Sequence, residues 1–185
     1  MASSGLAALS GRPWFWAAAV GVLFGVPFVR GLTQGRPPAA PPVFESFPPF
    51  ALTADDGTAF ATADLHGRAF IADLICGDCA GIAAQSGAMR ELQHRTRHLG
   101  DAVRLVSFSR SLDAAALRDF RRKHAAGQRW TLLVGAPAEA AAFFSGANML
   151  LLVDGRLRIR GRYGADSAGE IGRLLRDAAL LTALH

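Results

Sequence analysis

Apolar positions follow two rhythms in this chain. Compact apolar runs of strand length, bounded by turn residues, alternate with longer stretches in which apolar side chains return every three or four positions. Phe50 to Phe60 predicts a short strand, a turn at Asp56-Gly57 and a second strand. Ala63 to Arg68 predicts a turn of helix ending at Gly67, and Ala69 to Ile75 a buried strand. Ala80 to Leu99 predicts a helix with Ile82, Ala83, Met89, Leu92 and Leu99 inward, closed by Gly100. The pattern continues with a strand from Val103 to Phe108, a helix from Leu112 to His124 and a strand from Trp130 to Val134. A short helix from Ala138 to Phe144 follows. The chain closes with strands at Met149 to Val153 and Leu157 to Tyr163, turned at Asp154-Gly155, and a helix from Ser167 to Leu181. The order is βαβαβαββα behind an N-terminal hairpin, with no internal repeat. It implies a mixed central sheet flanked by helices.

The first fifty residues follow neither rhythm. From Pro13 to Val29 the chain is uncharged, and Arg12 and Arg30 bound the run. Roughly 17–25 apolar residues span a bilayer core as a helix. Trp14 and Trp16 suit a headgroup region, Pro13 a first helical turn and Pro27 a bend. Residues 13–30 therefore read as a transmembrane anchor behind a tail of residues 1–12. A cleaved signal peptide would place small residues where Gly31-Leu-Thr-Gln-Gly-Arg stands. A buried core helix is a third reading, which the following segment disfavours. Arg12 on one side, against Arg30 and Arg36 on the other, specifies orientation only weakly. Residues 31–49 hold Pro37, Pro38, Pro41, Pro42, Pro48 and Pro49, which predicts an extended linker before a domain over 50–185.

The chain has 185 residues, with 20 Lys+Arg against 15 Asp+Glu, a net charge of +5. The cations are scattered, all but Lys123 are arginine, and no nucleic-acid-binding motif accompanies them. Arg118, Arg121, Arg122 and Lys123 form the one dense stretch: a solvated helix face, or a docking patch for an acidic partner or anionic headgroups.

Only two cysteines occur, both in Cys76-Gly77-Asp78-Cys79. This segment falls where a buried strand gives way to a helix. A helix N-terminus favours an anion, so a thiol there loses its proton more readily. Asp78, if it faces the thiols, would work against that effect. Two such thiols can form an internal disulfide or hold one Cu(I), or they can simply pack as small apolar residues. Structural zinc needs four ligands, and no second pair exists. His94 and His98, one helical turn apart, are a further candidate metal pair, or part of a solvated face.

Several stretches together resemble the Sco/SenC family of membrane-anchored, thioredoxin-fold copper proteins, over about residues 43–181. They are Phe50-Ala-Leu-Thr-Ala-Asp-Asp-Gly, Asp64-Leu-His-Gly-Arg, Phe70-Ile-Ala-Asp-Leu-Ile, Met89-Arg-Glu-Leu-Gln, Val106-Ser-Phe-Ser-Arg-Ser-Leu-Asp, Trp130-Thr-Leu-Leu-Val-Gly and Leu151-Leu-Val-Asp-Gly-Arg. The resemblance implies a thioredoxin-like α/β fold with an N-terminal β-hairpin. It also implies copper delivery or thiol redox chemistry in cytochrome c oxidase assembly, on the periplasmic side of a bacterial inner membrane. The client would be an oxidase subunit or another thiol or disulfide protein. The implied redox dithiol, and the implied Cu(I) ligands, are Cys76 and Cys79.

The departures from the family pattern matter. Its two cysteines are separated by three residues, and here the separation is two. Counting from Asp73 puts Cys79 at the first family position and Ala83 at the second. The family's metal histidine falls at Gly146, and no histidine occurs between His124 and His185. Met149, close by in sequence, offers a thioether or is a core strand residue. Ser109 replaces one family aspartate, and Asp113 keeps the other. Weaker copper binding, or none, is the expectation. The alternatives are a metal-independent thiol–disulfide oxidoreductase and a partner-binding member without chemistry.

Overall fold

The structure, a computed structural model, describes residues 13–34, 40–77, 81–144 and 148–183. The chain divides into two compact units, Met1–Ala39 and Ala40–His185. The expected tail over residues 1–12 lies outside the described residues.

In the first unit Pro13–Gln34 forms one helix, α1. Its described large apolar side chains stand exposed, from Val20 at 53% to Phe24 at 69%. Among the described residues no helix is long and apolar enough to cross a membrane.

The second unit contains β1 (Ala51–Ala54), β2 (Ala59–Ala61), a 3-10 turn (Thr62–Leu65), β3 (Ala69–Ile75), α2 (Ile82–Arg95) and a 3-10 segment (Arg97–Ala102). These are followed by β4 (Val103–Ser109), α3 (Ala114–His124), β5 (Trp130–Val134), α4 (Ala138–Phe143), β6 (Met149–Val153), β7 (Ile159–Gly164) and α5 (Ala168–Ala183). The sheet runs β2-β1-β5-β4-β3-β6-β7. The central β3, β4 and β5 are parallel, and the outer pairings are antiparallel. Both faces are covered, so central strands are apolar on both sides. Ile71 and Ile75 of β3 face a core with Met89 and Leu92 of α2, Leu117 of α3 and Leu174 of α5. Phe70 and Ala72 face the opposite way, into a cluster with Phe47, Phe50, Phe108 and Phe144. There the rings meet edge to face, Phe50 on Phe108 at 5.0 Å and Phe47 on Phe70 at 5.5 Å.

Phe47 shows that the compact unit starts before residue 50. It is 2% exposed. Phe44 N donates to Ile159 O at 3.0 Å, Ile159 N to Glu45 O at 2.7 Å, and Phe47 N to Leu157 O at 2.6 Å. The linker expected over 31–49 is therefore corrected: from Ala40 the chain is laid against β7. Proline is tolerated at a sheet edge because one side of an edge strand needs no donors, and here Phe44 and Phe47, between the prolines, supply the N–H groups.

Two helices start later than their sequence pattern. α3 begins at Ala114 rather than Leu112, because the Asp113 carboxylate accepts from Ala116 N at 2.8 Å and caps it. α2 is described from Ile82, and Ala80 lies outside the described residues. It ends at Arg95 rather than Leu99. The buried Thr96 hydroxyl turns back to Leu92 O at 2.8 Å, and the chain tightens into the 3-10 segment.

Candidate functional site: a disulfide at the end of the central strand

β3 ends at Ile75, and Cys76 follows directly. Cys76 is 5% exposed and disulfide-bonded. Cys79, the chain's other cysteine, lies with Asp78 outside the described residues. Among the described residues no cysteine is free.

Two loops converge here. On one side, the turn after β4 is tied by Ser109, whose Oγ accepts from Leu112 N at 2.7 Å and donates to Leu112 O at 2.8 Å. Arg110 N donates to Ile75 O at 2.8 Å, fixing that turn to the strand end. Leu112 reaches Gly77: a Cβ on Gly77 would lie 2.8 Å from its Cδ2. On the other side, Asn148, just before β6, meets the start of α2. A Cβ on Gly81 would lie 2.1 Å from Asn148 Oδ1, and Gly81 also needs φ +92°. Only glycine meets both demands.

Beneath the strand end lies a carboxyl group that the sequence reading used only for counting. Asp73 is fully buried, on the same face of β3 as Ile71 and Ile75. Its Oδ1 accepts from Ser107 Oγ, which in turn accepts from Trp130 Nε1 at 2.8 Å. Its Oδ2 has no hydrogen-bond partner. Burial pushes its pKa up to about 7, against the opposing pull of the Ser107 and Gln85 side chains. Gln85 belongs to α2 and donates to Leu74 O at 3.1 Å. Asp73 thus sits three residues before Cys76 on a strand rising about 3.3 Å per residue. The available sequence signal was an acid in the middle of an otherwise apolar run.

The other candidates are placed differently from one another. Gly146 lies outside the described residues, and glycine offers no side-chain donor. Met149 packs against the phenylalanine cluster, which makes it a core residue. His94 and His98 are exposed, and His94 Nε2 lies 3.4 Å from Arg97 Nη2. Ala83 is exposed on α2. Among the described residues no group of three or more His, Cys, Asp or Glu side chains comes together.

The basic stretch on α3 is largely consumed internally. Arg121 grips the buried Asp55 with two hydrogen bonds, at 2.6 and 2.7 Å, and Arg118 donates to Asp55 O at 3.0 Å. Arg122 pairs with Asp119.

No family model and no curated protein matches the chain. Solved structures do match it. A thiol:disulfide interchange protein of the thioredoxin family from Chlorobium tepidum TLS superposes with a TM-score of 0.59 at 17% identity, covering 77% of this chain and 99% of its own. The chain has the thioredoxin-like α/β fold, with a seven-stranded mixed sheet. Structures of the Sco family are among those that share this fold. A SCO1/SenC family lipoprotein from Bacillus anthracis str. Ames matches with a TM-score of 0.65 at 23% identity, covering 74% of this chain and 95% of its own. BsSco, a member of the Sco family of cytochrome c oxidase assembly proteins in which a disulfide switch was identified, matches with a TM-score of 0.67 at 18% identity, covering 80% and 99%.

Proposed function

We propose that this chain is a membrane-attached thiol–disulfide exchange protein whose redox pair is Cys76 and Cys79. The observation that carries the reading is the disulfide at Cys76, at the end of the central strand. With two cysteines in the chain, an internal partner for Cys76 can only be Cys79.

Cys76 is nearly buried, so it serves as the resolving thiol and Cys79 as the attacking one. In the reduced protein the Cys79 thiolate attacks a client disulfide, forming a mixed disulfide and releasing one client thiolate. The Cys76 thiolate then attacks Cys79 sulfur, releasing the second client thiolate and closing the internal disulfide. The client gains two electrons and the pair loses them.

The likeness to Sco structures supports a client in cytochrome c oxidase assembly, and copper delivery is the second reading. The reduced pair would hold Cu(I) through two thiolates alone. The exposed apolar surface of α1 supports attachment to a lipid surface, with the second unit on the periplasmic side of a bacterial inner membrane.

Trapping tests the reading. The full chain carrying Cys76→Ser, reduced and mixed with a cystine-containing peptide, should accumulate a mixed disulfide through Cys79. Wild type should turn the peptide over. Competition for Cu(I) against a calibrated chelator runs alongside. One-to-one copper binding lost in Cys79→Ser, with no trapped peptide, would favour delivery over exchange.

A further inference from the structure

A groove of about 480 Å³ opens beside the disulfide, between α2 and α3, and Gly77 lines the end next to Cys76. Its floor is apolar: Ile82 from α2, and Leu112, Ala116 and Phe120 from α3 and the turn before it. Its far rim carries Arg90 and Lys123, both exposed. Asp119 shares that rim but is ion-paired with Arg122. His124 lies over Phe120 with ring centroids 4.2 Å apart. Burial, then the charges of Lys123 and Arg90, hold its pKa below the ordinary histidine value, so it is neutral at pH 7. Among the described residues, Arg90 and Lys123 are the groove's cations and neither is ion-paired, while the Asp119 charge is offset by Arg122.

We infer that this groove seats the client polypeptide next to its cysteine, taking apolar side chains on the Leu112–Ala116–Phe120 floor and a carboxylate at Arg90 and Lys123. The inference rests on the exchange reading and names the partner class of that site: an extended segment in which apolar residues near the reacting sulfur are followed by Asp or Glu. Charge complementarity chooses the occupant. Apolar floor and cationic rim lie within one groove, on the path leading away from Cys76. A second copy of this chain would bring its own excess of arginine, which the rim repels. The basic stretch suggested by the sequence is thus replaced by a pair drawn from two helices, Arg90 and Lys123, which no single-helix pattern could reveal.

The test uses the full chain in non-ionic detergent, oxidised, with labelled cysteine-free peptides, so that binding does not depend on exchange. One peptide carries two leucines followed by two glutamates. A second carries lysines in place of the glutamates. Short-chain phosphatidylglycerol is the third probe. The acidic peptide should bind at least tenfold more tightly than the basic one. Arg90→Glu with Lys123→Glu should reverse that order, and Ala116→Trp, filling the floor, should weaken both. Circular dichroism of each variant confirms folding. Equal binding of the two peptides, or acidic binding indifferent to charge reversal, overturns the inference. So does a rim that takes the lipid and neither peptide. Reduction of the Cys76 disulfide by dithiothreitol in the wild-type chain is read separately. If that reduction fails while peptide selectivity holds, the exchange reading falls and the groove stands.

Discussion

Asp73 carries the residue-scale account, because its environment ties stability to pH with a definite sign. Its folded pKa of about 7 lies above the ordinary carboxylate value. Below pH 4 both folded and unfolded states hold the proton, and stability is at its full value. As pH rises toward 7 the unfolded chain releases the proton first, so stability falls. The loss is on the order of 4 kcal/mol if burial acts in full. Asp73→Asn should flatten this decline, so that the variant melts above wild type at pH 8 and close to it at pH 4. Thermal melts across that range check it. Arg121 makes the opposite case. Asp55 is 1% exposed and held by that guanidinium. Arg121→Ala should cost about 3 kcal/mol in a denaturant titration, because it leaves a buried carboxylate unpaired. Neither role was legible beforehand. Cys76 announced itself by type and spacing. Asp73 looked like a strand residue and Arg121 like part of a solvated face, because burial and cross-chain pairing are products of tertiary packing.

At the scale of elements, most of the pattern was legible. β3, β5 and β6 fall within the bounds the apolar runs predict, because a doubly covered strand leaves a continuous apolar signature. Boundaries moved where side chains bonded to backbone: Asp113 shortened α3 at its start and Thr96 ended α2. The proline-rich segment misled for another reason. Proline density predicts an extended chain but does not say whether it stays solvated or is laid on an edge, and Phe47 decides that here. The junction at Gly81 is the sharpest test at this scale. Gly81→Ala meets a φ of +92° and the Asn148 side chain together. It should cost at least about 1–2 kcal/mol, measured by denaturant unfolding. The added change Asn148→Gly should recover the part due to the clash and not the part due to φ. Full recovery would contradict this account of the junction.

For the whole molecule, the sheet collects everything that bears on chemistry at one end. Cys76, the Ser109–Leu112 turn, Asn148 and the mouth of the groove all lie where β3 and β4 end or β6 begins. The separate N-terminal unit exposes apolar side chains that water disfavours. The full chain should therefore sediment with lipid vesicles, and deletion of residues 1–34 should leave it in the supernatant. The claim on which the functional account rests is that the sulfur at Cys76 cycles between disulfide and thiol. The most direct measurement is equilibration of the full chain in dithiothreitol redox buffers, with alkylation and mass spectrometry to count free thiols. The account predicts one two-electron transition in which Cys76 and Cys79 titrate together, and its absence in Cys76→Ser or Cys79→Ser. Two cysteines that stay reduced across the range, or that titrate independently of each other, would contradict it.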